Sequence, residues 1–353
     1  MARIKGSESY AIMTMGATSG TYGTAVAAGA GDRIACKSAP AITAQSLVKN
    51  PVGTGQIMAP QSIVGRKTPV VNLSGDVGYR NGFDKILAQF FGTSAAPAEQ
   101  TPTKGEYMHR LTLKTTANYV YNTFAYLLAS GDTLEFPSAM VRSININVPE
   151  VHSISQYSAE ILGNKAELSS AVNTSAVVTA ATISDSEVAT VTEDSDFWMN
   201  TSGGGAVSGS DQFNITSYNL TLTRPQDFIG NIKNSTGNAV PVETDVVAGT
   251  LTVTLQEQAD KTYWTAWEAE TVYKSKFKTE GSIIASGSVN RAISIYLPLM
   301  KLEGTPEYTT TEAGFNTVTL NFTLFAASAA PTGMSSVYPY VEIINTRATT
   351  YVA

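Results

Sequence analysis

Charged side chains are scarce in this sequence of 353 residues, of which only 15% are Asp, Glu, Lys or Arg. Soluble domains usually carry about a quarter. A surface so poor in charge is typical of one that other subunits cover, although Ser, Thr and Asn can also keep a monomer soluble. The formal net charge of −6 argues against a protein that grips nucleic acid, because gripping needs clustered Lys and Arg to displace counterions.

Cysteines, export signals and long apolar runs are missing as well. The single cysteine, Cys36, excludes an internal disulfide framework, and we interpret it as a small residue packed in a loop. The first residues hold no apolar segment followed by a small-residue cleavage site, so no Sec signal is visible. No apolar run approaches the roughly 18 residues of a membrane helix. We therefore expect a soluble protein that is made in a cytoplasm.

Motifs that carry catalysis or bind cofactors are also absent. The two histidines, His109 and His152, lie in strand-like stretches without HxxxH or HxH spacing, so we expect no zinc site. Sequence order alone allows a Ser-His-Asp site, but no GxSxG elbow is present. The stretch GATSGTYG over residues 16–23 lacks the Lys-Ser/Thr of a phosphate loop. We expect no enzyme activity, no catalytic residue and no cofactor.

One acidic cluster leaves calcium binding open as an alternative. Its spacing is not that of a D-x-D-x-D-G loop, which favours a solvated loop. The carboxylates of this segment, residues 185–196, are Asp185, Glu187, Glu193, Asp194 and Asp196.

Alternating apolar and polar residues predict a mainly β protein built from antiparallel sheets with one wet face. The clearest example puts Val318, Leu320, Phe322 and Leu324 on one face, with Thr and Asn between them. The other alternating segments are 141–148, 218–223, 249–255 and 292–299.

Only two segments have the period of a helix. Residues 82–91 carry an apolar stripe from Phe83 onwards, with Asn81 placed to cap the helix and Gly92 to stop it. The second candidate runs over 260–273 with Asp260 as its cap.

The order of these features repeats along the chain. In both halves, a strand ends near a proline, Pro51 or Pro225, and a long loop follows, roughly 52–69 or 226–248. A second strand and a helix come next. Leu73 precedes Phe83 by ten positions, and Val253 precedes Tyr263 by ten positions. Two further strands close each set, so we interpret the order as an internal duplication.

The duplication predicts two tandem β-sandwich or half-barrel domains, each with one short flanking helix. The predicted segments are an N-terminal arm (1–40), domain one (41–165), a connecting segment (166–211), domain two (212–327) and a C-terminal arm (328–353).

Two stretches resemble the tail tube proteins of long-tailed bacteriophages. PVVNLSGDVGYRNGFDKILAQFFG (69–92) is similar to that family's strand running into a short helix after a long loop, and GFNTVTLNFTLFAA (314–327) to its final strand. The resemblance implies a non-enzymatic virion subunit, in a duplicated form found in siphophages. Strands of many copies would join into a barrel around a lumen, as stacked rings through which viral DNA passes into the host.

The resemblance also implies partners. They are other copies of the chain, tail completion and tail tip proteins, the tape measure protein that fills the lumen before ejection, and DNA in transit without specific binding, with no membrane involved. The duplication favours a ring of three chains with pseudo-sixfold symmetry over a ring of six.

A lumen that lets DNA pass needs a neutral or acidic wall, because a basic wall would hold the phosphates. The candidate lumen residues are the polar positions of two predicted strands, Asn72, Ser74, Asp76, Thr250, Thr252, Thr254 and Gln256. Two other classes of protein stay open, another self-assembling or adhesive β protein (a capsid decoration or surface-array subunit) and a carbohydrate-active β-sandwich enzyme with paired carboxylates.

Overall fold

The structure is a computed structural model. The residues that it describes leave out Pro51, the predicted loop 52–69 except its last residue, His152, Glu193, Asp194 and Asp260. The described residues are 10–14, 23–37, 41–44, 69–116, 120–128, 130–150, 153–163, 165–185, 187, 195–228, 241–243, 245–256, 262–284, 288–310 and 316–352.

This part of the chain forms 22 β-strands and three α-helices, which confirms the mainly β prediction. The helices are α1 (Phe83–Phe91), α2 (Ser175–Ala180) and α3 (Thr262–Glu268). The strands before α2 are β1 (Ala11–Met13), β2 (Arg33–Ile34), β3 (Ala41–Ala44), β4 (Pro69–Asp76), β5 (Gly92–Ser94), β6 (Ala98–Glu99), β7 (Tyr107–Leu113), β8 (Asn122–Leu127), β9 (Thr133–Val148), β10 (Gln156–Leu162) and β11 (Glu167–Leu168).

The strands after α2 are β12 (Ser195–Thr201), β13 (Gln212–Phe213), β14 (Ile215–Thr223), β15 (Gln226–Phe228), β16 (Pro241–Glu243), β17 (Ala248–Gln256), β18 (Val272–Ile283), β19 (Asn290–Leu302), β20 (Glu307–Thr310), β21 (Asn316–Phe325) and β22 (Tyr340–Asn345). A 3-10 turn at Gly209–Asp211 precedes β13.

Eight strand positions form the main sheet, in the spatial order β3, β4, β10, β9, β14, β17, β21 and a composite strand. The composite strand is the C-terminal end of β19 followed by β20. Both run antiparallel to β21, with Leu302 opposite Phe322 and Glu307 opposite Thr319. All neighbours in this sheet are antiparallel, as the alternating sequence pattern predicts.

A second layer covers the apolar face of the main sheet. It contains β12, β18, β19, β22 and β7 as successive neighbours. Side chains of both layers meet around α1, and the fold is a β-sandwich: Leu87 and Phe91 of α1 lie among Ile146 and Leu220 of the main sheet and Ile295 of the second layer. One hydrophobic cluster includes residues of both halves of the chain.

The same order of strand pairing occurs twice in the main sheet. The first set is β3, β4, β10 and β9, and the second set is β14, β17, β21 and the composite strand. A helix follows the second strand of each set, α1 after β4 and α3 after β17. In set one β8 pairs with β9, and in set two β18 pairs with β19. Because both sets share one sheet and one core, the division into two tandem domains stays a prediction.

The helix α1 is buried on all sides, which the single apolar stripe in its sequence did not indicate. Its three polar side chains bind three separate segments. Asp84 accepts a hydrogen bond from the Tyr351 hydroxyl at 2.6 Å, Lys85 pairs with Asp32 at 2.5 Å, and Gln89 accepts one from the backbone N–H of Val141 at 2.5 Å. A polar group that is buried needs such partners, so α1 joins both chain ends to the core.

Both segments that were predicted as arms, 1–40 and 328–353, belong in part to the core. The strand β1 pairs with β8, and its Ala11, Ile12 and Met13 are buried. The strand β22 lies between β7 and β19. This corrects the description of these segments as extended arms: each holds too few apolar residues for a core of its own, but the sheets of the rest of the chain supply the missing partners.

The helix ends also differ from the prediction. Gly82, with φ of 104°, occupies the cap position of α1, and Asn81 instead accepts a hydrogen bond from the N–H of Phe83. The second predicted helix is shorter than 260–273 because its C-terminal residues, from Val272, begin β18. The connecting segment 166–211 contains α2, which the sequence reading missed although Thr174 caps it through its side chain.

Candidate assembly surface

One face of the main sheet carries a continuous polar surface, named here the polar face. Over most of β4, β14, β17 and β21, alternate residues are buried and the residues between them are partly or fully exposed. The polar face consists of Asn72, Ser74, Asp76, Ser158, Glu160, Ser143, Asn145, Asn147, Asn219, Thr221, Thr223, Thr250, Thr252, Thr254, Gln256, Thr317, Thr319, Asn321 and Thr323. All seven candidate lumen residues lie on it, so the structure brings the two predicted groups onto one surface.

Neutral hydrogen bonds between strands cross the polar face. Asn145 donates to Thr221 at 2.9 Å, and Thr252 donates to Asn321 at 2.8 Å. Two carboxylates of the face are paired: Asp76 lies 2.6 Å from the Lys37 ammonium, and Glu160 lies 3.4 Å from the Arg142 guanidinium. The polar face therefore carries mostly hydroxyl and amide groups.

The two four-strand sets meet at one junction, between β9 and β14. Six residue pairs are opposite each other there, from Tyr218 and Val148 to Thr223 and Ser143. Leu220 lies opposite Ile146, and both side chains are buried. The junction thus joins the last strand of set one to the first strand of set two through backbone pairing and a buried apolar pair.

The main sheet ends at two open edges. At one end, β3 pairs with β4, and the described residues place no strand on its other side. At the other end, β20 pairs with β21, and again no strand of the described part lies beyond it. All four residues of β20 are exposed, and the Tyr308 side chain is 44% exposed. Unpaired edges of this kind template association with another chain.

An apolar cleft of about 720 Å³ opens at the end of the sheet where β14 finishes and β17 begins. Leu222, Leu324 and Phe325 line it together with Val246, whose side chain is 78% exposed. Val246 lies near the end of the predicted loop 226–248, in which β15 and β16 pair antiparallel.

The acidic segment is engaged by the protein itself. The Arg291 guanidinium lies 2.6 Å from a carboxylate oxygen of Asp185 and 3.4 Å from one of Glu187. Glu187 also accepts a hydrogen bond from the Ser282 hydroxyl at 2.6 Å, and Gln212 donates to Asp196 at 2.5 Å. Among the described residues, no group of three or more His, Cys, Asp or Glu side chains could hold a metal ion.

His109 and Cys36 lie away from the polar face. His109 is buried, with Nε2 2.8 Å from the Arg347 carbonyl oxygen, and burial lowers its pKa. Burial raises the pKa of the Cys36 thiol to about 12, so the thiolate that would react is suppressed. Sequence reasoning missed the edge strand β20, because its four residues show no alternation.

No family model matches the sequence, and no curated protein matches it. In the described part of the chain, none of the helices is both long and apolar enough to cross a membrane.

Proposed function

We propose that this chain is the subunit of a bacteriophage tail tube, polymerising as stacked rings around a lumen that conducts viral DNA. The observation that carries the proposal is the pair of open edges at the two ends of the main sheet. Each edge strand takes the place, in its own set, of a strand that pairs at the internal junction. Head-to-tail contacts between two different edges generate closed rings when the rotation closes.

The polar face suits the wall of such a lumen. The apolar face is covered by the second layer, which leaves the polar face for the interior of a ring. Its hydroxyl and amide groups offer DNA no cluster of cations, so passing phosphates release no counterions and are not held. Tape measure protein before ejection and DNA during ejection are therefore proposed as the contents of the lumen.

Three chains per ring is the stoichiometry that we propose. Eight strand positions in each copy would give three copies 24 positions. At a strand spacing of about 4.8 Å and a tilt of about 40°, the closed sheet has a diameter of about 48 Å between backbones. Barrels of about 16 strands already enclose an aqueous channel. A closed sheet of 24 strand positions is wider, so it leaves room for a lumen.

The apolar cleft is proposed as the contact between successive rings. It lies at one end of the strands, which is the direction in which rings stack. The exposed Val246 and Phe325 side chains at its mouth are of the kind that a partner surface buries. Tail completion and tail tip proteins would meet the two ends of the tube.

Electron microscopy of concentrated protein in negative stain tests the function. We expect tubes with a central channel. Flat lattices would favour a surface-array subunit. Persistent monomers would contradict self-assembly and would favour a decoration protein that binds only to capsids. The variant Val246→Asp should leave rings that no longer stack, whereas Leu168→Asp, an exposed apolar position outside the cleft, should still form tubes.

The wall is tested in the virion. The variant Thr252→Lys adds a cation to the polar face, and we expect DNA ejection to become slower and salt-dependent. Thr265→Lys adds the same charge to an exposed site on α3 and serves as the control. Equal ejection rates for the two variants and the parent would show that the polar face does not line the channel.

A further inference from the structure

The contact between two copies can be specified residue by residue from the contact inside one copy. We propose that β3 of one copy pairs antiparallel with β20 of the next, with Ile42 opposite Tyr308 and Thr43 opposite Glu307. This inference rests on the proposed function and names the partner surface of its rings.

The first half of the argument identifies the residues of β3. In set one, β3 pairs with β4 so that Ala41 lies opposite Asn72. In set two, β14 pairs with β17 so that Asn219 lies opposite Thr252. Asn72 and Thr252 precede the buried Leu73 and Val253, whose matching places showed the repeat in the sequence. Ala41 therefore corresponds to Asn219, and the residues that follow correspond in order.

The second half identifies the residues of β20. In set one, β9 pairs with β10 so that Asn145 lies opposite Ser158. In set two, β20 pairs with β21 so that Glu307 lies opposite Thr319. Ser158 and Thr319 correspond, because each directly precedes the residue that lies opposite Leu73 or Val253. Glu307 therefore corresponds to Asn145, and Tyr308 to Ile146.

The internal junction then supplies the register. Asn145 lies opposite Thr221, and Ile146 lies opposite Leu220. Replacing each residue by its counterpart puts Glu307 opposite Thr43 and Tyr308 opposite Ile42.

The exposure of Tyr308 is explained by this register. Tyr308 lies opposite Val318 in β20 and β21, and opposite residues share one face of a sheet, so Tyr308 is on the face that carries the core. Its counterpart Ile146 is 3% exposed, whereas Tyr308 is 44% exposed in the single chain. Pairing with the next copy would cover it, as β14 covers Ile146.

Disulfide trapping tests the register. In a Cys36→Ala background, we expect Thr43→Cys with Glu307→Cys to crosslink neighbouring copies under mild oxidation. Residues directly opposite each other have Cα atoms about 4.5–5.5 Å apart, which a disulfide can bridge. The pair Ala41→Cys with Glu307→Cys is two residues out of register, at about 7–8 Å, and should crosslink at least tenfold less. The internal pair Asn145→Cys with Thr221→Cys is the positive control: it should lose its two free thiols and still run as a single chain on the gel.

The crosslinked species also count the copies. Gel electrophoresis without reductant should show dimers and trimers of the chain, and no larger species, if three copies close a ring. Rings or tubes in the microscope that crosslink out of register, or not at all, would overturn the register and leave the proposed function standing. Monomers only, with neither crosslinks nor assemblies, would overturn both.

A substitution gives a second measurement that needs no oxidation. Tyr308→Asp adds a charge where the register puts a covered side chain, so the variant should stay folded and monomeric in native mass spectrometry. Val272→Asp changes a similarly exposed apolar residue on β18 and should assemble as the parent does. Assembly of Tyr308→Asp at parental concentration would contradict the pairing.

Discussion

Removing one hydroxyl from the C-terminal segment should destabilise the protein measurably. Tyr351 is fully buried, its hydroxyl donates to Asp84 at 2.6 Å, and it accepts from the Asn345 amide at 2.8 Å. In Tyr351→Phe, the buried Asp84 carboxylate loses this donor and keeps its hydrogen bond from the Gly82 N–H, at 3.0 Å. A hydrogen bond to a charged group contributes about 1.5–3 kcal/mol, and we expect a loss of that size in the free energy of unfolding.

Urea denaturation measures the loss. With a slope of about 3 kcal/mol/M or more for a chain of this size, the midpoint should fall by about 0.5–1 M without a change in slope. Tyr351→Ala also removes the ring that packs edge-on against His109 and should cost about 3–5 kcal/mol. Tyr338→Phe, at a partly exposed tyrosine, is the control and should stay within about 0.5 kcal/mol of the parent. Equal midpoints for Tyr351→Phe and Tyr338→Phe would refute the docking of the tail.

Three further outcomes are expected from the same assay. Gly82→Ala should lower the free energy of unfolding by several kcal/mol more than Gly105→Ala. Both glycines have positive φ, but a Cβ at Gly82 would lie 2.8 Å from the Ile34 backbone, whereas a Cβ at Gly105 would have no atom within 4 Å. Equal losses of stability would contradict the contact with Ile34. Burial lowers the pKa of His109. As the pH falls, the unfolded chain therefore takes up the proton of this histidine before the folded chain does, and stability should fall below about pH 6.5 by at most about 1.4 kcal/mol per pH unit. This pH dependence should weaken in His109→Gln, and an unchanged pH dependence would oppose the reasoning. Calcium at millimolar concentration should leave the midpoint unchanged because Arg291 occupies the acidic segment, and a rise would restore the calcium alternative.

Local patterns in the sequence were enough to predict several inner strands of the main sheet, but not its edge strand β20. The alternation from Val318 to Leu324 became the alternation of buried and exposed residues in β21. The short helix between Phe83 and Gly92 was predicted almost to its ends. In both cases one face of an element meets the core, and that requirement leaves a period in the residues themselves.

Partners that are distant in the chain could not be predicted in the same way. The ion pair between Lys85 and Asp32 and the hydrogen bond between Asp84 and Tyr351 join residues from different elements. No period marks such pairs, because they depend on how the sheets fold over α1. The polar face was predictable as two separate strands, whereas its continuity across the sheet depended on the pairing order.

The internal junction between β9 and β14 has a kinetic consequence for assembly. Its two strands belong to one chain, separated by residues 149–214, so they meet during folding without an encounter between two molecules. The equivalent contact between copies forms only at the concentration of free protein and costs about 4–15 kcal/mol of translational and rotational freedom. In the proposed ring of three chains, folding would already have closed three of the six seams, and the other three would form between copies. Ring formation would then depend on the concentration of this protein.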